Sequence, residues 1–153
     1  MQSYTSDQLR NVVVMGHGGS GKTTLAEAML FASGAITRMG SVDSQNTVSD
    51  YDPLEHSHSY SISTSLLAVE WEGHRINVLD APGYADFDCE VVEACVAADA
   101  ALITVDAVGG LQAGVETSWA HAEEAGLPRM LLISRLDREN ADFDGLVAAL
   151  RER

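Results

Sequence analysis

Eight residues near the start of the chain have the spacing of a phosphate-binding loop. Residues 16–23 read GHGGSGKT, which fits G-x-x-x-x-G-K-[ST] and lies between an apolar run and a helical pattern. Glycines let successive backbone N–H groups point toward one anion, and the N-terminus of the next helix adds partial positive charge. A lysine and a hydroxyl then contact phosphate oxygens and Mg²⁺. The predicted phosphate-binding residues are His17, Gly18, Gly19, Ser20, Gly21, Lys22, Thr23 and Thr24.

The choice of basic residues supports this prediction. Lys22 is the only lysine, and the other eight basic residues are arginines. A compact ammonium on a flexible stem makes a point contact with phosphate, whereas a guanidinium presents a planar fork. The single lysine therefore lies at the one position of the motif where an ammonium suits the chemistry.

A second phosphate contact is predicted where another apolar run ends in a carboxylate. Residues 76–80 read INVLD, and the chain continues as APG. This distance from the phosphate loop suits an aspartate that holds Mg²⁺ through water, so Asp80 and Thr23 are both predicted metal-site residues. The Gly83 N–H is expected to contact a γ-phosphate, which a triphosphate has and a diphosphate lacks.

The base of the nucleotide is predicted from residues 134–137, which read SRLD and follow a further apolar run. The Asp137 carboxylate can accept hydrogen bonds from the ring N–H and the amino group of guanine. Adenine lacks this pair of donors, so a buried Asp137 left without them would reject ATP. The order of the three elements therefore predicts GTP or GDP, bound with Mg²⁺.

Short apolar runs alternate with helical patterns along the rest of the chain. This alternation predicts an α/β fold of the P-loop NTPase kind, a three-layer sandwich with a mostly parallel sheet and one antiparallel edge strand. Residues 38–62 are polar and weakly periodic, which predicts a long functional loop. The predicted strands are 11–15, 66–71, 75–79, 100–105 and 129–133, and the predicted helices are 22–33, 86–97, 113–125 and 143–150.

Composition excludes several classes of function. The formal net charge is −14 over 153 residues, which argues against nonspecific grip on nucleic acid and against an anionic membrane surface. No apolar run approaches the roughly 20 residues of a membrane span. Two cysteines, Cys89 and Cys95, are too few for a disulfide framework and read as reduced thiols. We therefore expect a cytoplasmic protein with no membrane partner and no sequence-specific nucleic-acid binding by these residues.

Taken together, these motifs resemble the N-terminal G domain of translational GTPases, and most closely that of elongation factor G and its paralogues. The resemblance rests on residues 16–24, 80–87 (DAPGYADF), 105–112 (VDAVGGLQ) and 136–140 (LDREN). It implies GTP binding and hydrolysis, Mg²⁺, turnover stimulated by the ribosome, and two switch regions at about 38–65 and 80–97.

The first switch of that family carries the pattern D-[WFY]-x-x-x-E-x-x-R-G-I-T-I. Here it aligns with Asp50-Tyr51 and Glu55 and ends at Ile62, with histidine and serine in place of the arginine and glycine. The threonine that ligates Mg²⁺ in the family falls on Ser61, and Thr64 is close enough to be the alternative ligand.

Three further positions depart from the family. Tyr84 replaces a histidine that orients the attacking water; a phenol with a pKa near 10 cannot act as a base at neutral pH, but it can position water. Alternatively, Tyr84 packs on the switch helix. Ser134 and Arg135 replace Asn-Lys, so Ser134 is expected to lose the amide that tethers the phosphate loop, while Arg135 stacks over guanine. The predicted catalytic residues are Tyr84, Lys22 and Gly83.

The sequence thus predicts the GTP-binding and GTP-hydrolysing domain of a ribosome-associated factor, with hydrolysis that is slow or ribosome-dependent. One alternative is a GTP/GDP-binding regulatory switch with little hydrolysis, and another is a ribosomal-protection or release-factor type of GTPase. The Ser-Ala guanine loop, a sixth strand and its helix have no counterpart here, so residues 1–153 are expected to be a partial G domain, C-terminally incomplete, with later domains absent.

Overall fold

Five strands form one sheet whose order is β2-β3-β1-β4-β5. The computed structural model describes residues 3–153, so the first two residues of the predicted domain 1–153 lie outside the described residues. The strands are β1 (Leu9–Gly16), β2 (Ser65–Trp71), β3 (His74–Asp80), β4 (Ala100–Asp106) and β5 (Arg129–Ser134).

Five α-helices connect or follow these strands. They are α1 (Lys22–Ala32), α2 (Pro53–His58), α3 (Asp88–Ala97), α4 (Ala113–Glu124) and α5 (Phe143–Arg151). Short 3₁₀ turns occur at Ser6–Gln8 and Ala85–Phe87. No helix within residues 3–153 combines the length and the apolarity that a membrane crossing requires.

The sheet is parallel except at one edge. β1 pairs in parallel with β3 and β4, and β4 pairs in parallel with β5, whereas β2 runs antiparallel to β3. The two antiparallel strands are joined by a two-residue turn, Glu72 and Gly73, whose φ angles are both positive (47° and 79°). Positive φ at both residues is what a two-residue hairpin turn requires if it is to match the twist of its strands. The predicted α/β sandwich with one antiparallel edge strand is confirmed.

The two faces of the sheet bury different clusters. One face packs α1 against β1, β2 and β3 through residues such as Val14, Leu30 and Val78. The other face packs α3, α4 and α5 against β1, β4 and β5, and its fully buried members include Met15 and Ile103. Because successive strand side chains point to opposite faces, β1 contributes to both clusters and is the centre of the fold.

Helix α2 is the one α-helix within 3–153 that the sequence-based assignment missed, because residues 38–62 were expected to be a loop throughout. Its start has a clear local cause. Asp52 caps the helix by accepting a hydrogen bond from the Leu54 N–H at 2.8 Å, Pro53 occupies the first turn, and Glu55 completes the capping box. Aspartate, proline and glutamate at this spacing are a helix-start signal that polar composition obscured.

The core cluster around β4 gives a direct test of the packing. Ile103→Ala removes a side chain that is 0% exposed, so we expect the free energy of unfolding to fall by about 2–5 kcal/mol. Leu66→Ala, at a β2 position that is 71% exposed, is the matched control and should cost less than about 1 kcal/mol. Denaturant unfolding measures both, and equal losses would contradict the assigned core.

Candidate functional site

A cavity opens at the carboxyl ends of the parallel strands. Its volume is about 450 Å³, within the range of small-molecule sites. The strand register explains its position, because Val14 pairs with Asp80, Gly16 with Thr104 and Asp106 with Ser134. The loops that leave β1, β3, β4 and β5 therefore meet at one edge. The predicted site residues in its wall are Gly18, Gly19, Gly21, Lys22, Thr23, Thr24, Ser61, Gly83, Tyr84 and Arg135.

The phosphate loop is held on the sheet by a buried hydroxyl pair. Ser20 Oγ and Thr104 Oγ1 lie 2.6 Å apart, and the Thr104 hydroxyl also lies 3.2 Å from the Met15 carbonyl oxygen. A Cβ at Gly16 would come within 2.5 Å of the Thr104 carbonyl oxygen, so the loop leaves β1 in close contact with β4. Ser20 therefore anchors the loop from behind rather than lining the cavity.

Lys22 is the buried cation of the cavity. Its residue is 7% exposed, and its ammonium donates to the carbonyl oxygens of Gly16 and His17 at 3.1 and 3.0 Å. Burial lowers the pKa of Lys22 to about 8, although the negative charges of Asp80 and Asp50 oppose this shift. Within residues 3–153 the ammonium forms no ion pair, so its charge is available to an anionic ligand.

Asp80 is the buried anion at the end of β3. It is 1% exposed, and burial raises its pKa to about 6 despite nearby hydroxyls and Lys22, which act in the opposite direction. The hydroxyls of Thr23 and Ser49 lie close enough to lower this pKa. Neither makes a hydrogen bond of normal geometry to the carboxylate, and both Asp80 oxygens and Ser49 Oγ are buried without a partner in the described part of the chain.

These unpartnered oxygens fit a hard divalent cation, because Mg²⁺ prefers carboxylate, hydroxyl and water oxygens. Within residues 3–153, no three or more His, Cys, Asp or Glu side chains are grouped so that they could hold a metal ion. A cation near Asp80 and Thr23 would therefore take its remaining ligands from hydroxyls, water and the phosphates of a nucleotide.

The segment 50–64 brings one of the two alternative hydroxyls to the cavity. Ser61 lies in the cavity wall, and its Oγ donates to Asp50 Oδ1 at 2.6 Å. Thr64 instead contacts α3: its N–H donates to the Glu90 carboxylate at 2.7 Å, and its hydroxyl donates to the Glu90 carbonyl oxygen at 3.2 Å. The geometry favours Ser61 over Thr64 as the hydroxyl that faces a bound ligand.

The turn after β3 closes over the phosphate loop. A Cβ at Gly83 would collide with the Lys22 ammonium and would come within 2.8 Å of the Gly18 nitrogen, so only glycine fits there. The ring of Tyr84 lies over Gly18, because a Cβ at Gly18 would be 2.9 Å from a ring carbon. Tyr84 also packs against Tyr60, with ring centroids 4.9 Å apart. Tyr84 and Tyr60 therefore form an aromatic cover over the cavity, and Tyr84 does not pack on α3 alone.

The turn after β5 corrects one expectation. Ser134 was expected to lose the tether to the phosphate loop, but its hydroxyl donates to the Ser20 carbonyl oxygen at 2.7 Å, so a shorter side chain makes the same kind of link. Arg135 has a φ of 58° and pairs with Asp106 at 2.6 Å. Its guanidinium is thus held at the cavity rim by β4, which limits how freely it could stack on a base.

Asp137 and His17 are absent from the cavity wall, as are Ser20, Asp80 and Ser134. Asp137 is exposed in the turn after β5, in the described conformation. His17 packs against the first turn of α4, where a Cβ at Gly114 would be 2.7 Å from the His17 Cα. The tight contact with Gly114 indicates a packing role for His17, whose carbonyl oxygen also accepts a hydrogen bond from the Lys22 ammonium at 3.0 Å.

Sequence reasoning missed three buried residues that build the site, Glu27, Ser49 and Thr104, and named Asp50 only as the start of the first-switch pattern. Two of them had a readable signal. Thr104 is a hydroxyl residue within an otherwise apolar strand run, and Glu27 lies on the same helical stripe as Ala26 and Leu30, both buried. Ser49 has no comparable signal, because its neighbours in sequence are polar and its burial depends on contacts with distant elements.

Comparisons with known proteins agree with this geometry. The model of the elongation factor Tu GTP binding domain family matches residues 7–153. Mitochondrial ribosome-releasing factor 2 of Drosophila ananassae is 38% identical over 99% of this chain and 20% of its own length. Elongation factor G 2 of Streptomyces coelicolor is 37% identical over 100% of this chain and 22% of its own length. The chain thus spans about a fifth of the length of these curated relatives.

A solved structure supports the same assignment. A protein of Thermus thermophilus has 44% sequence identity and a TM-score of 0.92 over 95% of this chain and 22% of its own. The shared fold therefore extends over nearly the whole of this chain.

Burial of the Asp80 charge predicts a pH-dependent cost in the nucleotide-free protein. The pKa of Asp80 is raised from 3.8 to about 6. The contribution of Asp80 to the free energy of unfolding is therefore fully present below pH 3.8, where the carboxyl is protonated, and is lost as pH rises through 6. Asp80→Asn removes this loss. We expect the unfolding free energy of the variant, relative to the parent, to rise by up to about 3 kcal/mol between about pH 4 and 6.

Chemical denaturation without nucleotide or Mg²⁺ measures this difference across the pH range. Asp144→Asn, which removes an exposed carboxylate from α5, is the matched control. A pH-dependent difference of the same size in that control would contradict the assignment to Asp80.

Proposed function

The chain belongs to the elongation factor Tu GTP-binding domain family, and on that premise we propose that it binds GTP with Mg²⁺ and hydrolyses it as part of an elongation factor G-like translation factor. The observation that carries the proposal is a pair of buried charges that form no ion pair within residues 3–153, Lys22 in the cavity wall and Asp80 near it. Lys22 offers a cation to phosphate and Asp80 offers an anion to a metal site. A Mg²⁺–nucleotide complex supplies both missing partners at once.

The phosphate end of the site is assigned to the loop after β1. Backbone N–H groups of residues 18–24 cradle the phosphates, and the ammonium of Lys22 contacts the β- and γ-phosphates. Thr23 and Ser61 would hold Mg²⁺ through their hydroxyls, and Asp80 would hold it through water. When bound, the ion neutralises charge on the β- and γ-phosphates.

Hydrolysis is assigned to positioning and electrostatics. Water attacks the γ-phosphorus in line with the bond to the β-phosphate oxygen, and GDP and phosphate are the products. Lys22 stabilises the charge of the transferring group, the Gly83 N–H contacts the γ-phosphate, and the Tyr84 hydroxyl orients the water. The ring contacts of Tyr84 with Gly18 and Tyr60 support this role, because they place the phenol on the phosphate side of the cavity.

The ribosome is the proposed partner, through the complete factor and in the cytoplasm or an equivalent translating compartment. The names of the Drosophila and Streptomyces relatives support a role in translation. The second candidate is a guanine-nucleotide switch with little hydrolysis, which the aromatic residue at position 84 favours over rapid turnover. The switch regions are assigned to 38–65 and 80–97, and both segments contribute residues to the cavity wall.

Guanine recognition is tested at Asp137. Asp137→Ala removes the acceptor of two hydrogen bonds from guanine, so we expect the preference for GTP over ATP to fall roughly 100-fold. Competition of each unlabelled nucleotide against fluorescent GDP measures that preference. Asp144→Ala removes another exposed carboxylate and should leave it unchanged. Equal competition by ATP and GTP in the parent protein would disprove the assignment.

The role of Tyr84 is tested by removing only its hydroxyl. We expect Tyr84→Phe to slow single-turnover GTP hydrolysis on ribosomes roughly 10- to 100-fold, with GTP affinity unchanged, because the ring contacts persist while the water loses its guide. Tyr4→Phe, at a residue that lies outside the cavity wall and both switch regions, is the control. A parental rate in Tyr84→Phe would assign the ring to packing, and a parent rate that ribosomes do not accelerate would favour the regulatory switch.

A further inference from the structure

Glu27 is a buried carboxylate that the proposed chemistry does not use. It lies on α1 one turn after Thr23, and it is 0% exposed. In the described part of the chain it forms no ion pair with a basic side chain. A buried carboxylate costs folding free energy unless hydrogen-bond donors satisfy it, so the donors of Glu27 indicate its role.

Both partners of Glu27 are backbone N–H groups of a single loop. The Gly40 N–H donates to Oε2 at 2.8 Å, and the Val48 N–H donates to Oε1 at 2.5 Å. These two residues begin and end the loop 40–48. One carboxylate thus closes the neck of the loop by binding both of its ends to α1.

The loop also has internal bonds and a link to α2, where the Gln45 side-chain amide donates to the His56 carbonyl oxygen at 2.8 Å. The Ser41 N–H donates to Asn46 Oδ1 at 2.8 Å, and the Gln45 N–H donates to the Val42 carbonyl oxygen at 3.0 Å. A Cβ at Gly40 would come within 2.5 Å of the Asn46 carbonyl oxygen and 2.8 Å of Glu27 Oε2. The neck is therefore packed tightly around the carboxylate, and a side chain at Gly40 would not fit.

This loop forms part of the cavity wall. Ser41, Val42 and Asp43 line the cavity, and directly after the neck Ser49 and Asp50 are buried beside the unpartnered Asp80. Releasing the neck would free both the wall and the residues that lead into the cation region. Glu27 acts on the cavity only through the loop, since it is absent from the cavity lining.

We propose that Glu27 is a positioning residue whose carboxylate clamps the loop 40–48 onto α1 as a wall of the nucleotide cavity, and so sets how slowly bound nucleotide leaves. The proposal rests on the proposed function, because it assigns a control to the same site. Its physical basis is that opening the loop leaves a buried carboxylate without both of its donors. Lys22 and Thr23 lie on the same helix as Glu27, so the loop that forms the wall is attached to the element that carries the phosphate contacts.

The test uses the complete natural polypeptide that carries these residues. Glu27→Ala removes both acceptors, and Glu27→Gln keeps the size and one acceptor oxygen. We expect the dissociation rate of fluorescent GDP, followed by stopped flow, to rise roughly 10-fold or more in Glu27→Ala and less in Glu27→Gln. Hydrogen–deuterium exchange of residues 39–49 should accelerate in the same order, with and without GDP.

Glu124→Gln, on an exposed residue at the end of α4, is the matched control and should change neither measurement. Unchanged exchange at 39–49 in the Glu27 variants would overturn the clamp. Faster exchange with an unchanged GDP dissociation rate would overturn its control of the site. If Glu27→Ala does not fold, the nearly isosteric Glu27→Gln carries both readouts. A parent protein that binds no GDP would reject the proposed function, whereas exchange in the nucleotide-free protein still tests the clamp.

Discussion

Desolvation of two opposite charges at one edge of the sheet constrains the whole arrangement. The ammonium of Lys22 and the carboxylate of Asp80 are both buried. Burial lowers the pKa of Lys22 and raises the pKa of Asp80, so it favours the neutral form of each group. Asp80 ends β3 and Lys22 begins the helix after β1, so the parallel pairing of β1 with β3 brings the two charges close together at the same edge of the sheet. Protein groups do not fully offset the desolvation cost of either charge. Such a cost is typical of a functional site, where a charged ligand offsets it.

The parts of the chain around that edge are held by hydrogen bonds to acidic side chains. Glu27 binds both ends of the loop 40–48, Glu55 accepts the N–H groups of Ile62 and Ser63, and Glu90 accepts the N–H of Thr64. Three carboxylates thus order a long, polar segment that has little apolar surface to bury. Part of the strongly negative composition is therefore structural, since carboxylates accept backbone N–H bonds that are stronger than those between neutral groups.

Prediction from sequence succeeded where local patterns decide the outcome. The predicted strands, the hairpin and the four predicted helices are present because apolar periodicity, glycine stops and a two-residue turn act over a few residues. The assignment failed at α2, where a capping signal lay inside a polar stretch. It also did not foresee that the Ser134 hydroxyl would reach the phosphate loop where the family's amide is lost. The roles of the individual site residues stay predictions.

The sequence by itself determined the order of the elements, the phosphate loop with its single lysine, and the aspartate at the end of β3. Each of these depends on residue types and spacing within one short stretch. Only the tertiary structure decided that Thr104 anchors Ser20, 84 positions away, and that Glu27 reaches Val48, 21 positions away. Such contacts depend on strand register and helix packing, which bring distant residues together, and no local pattern records which partner a buried polar group will find.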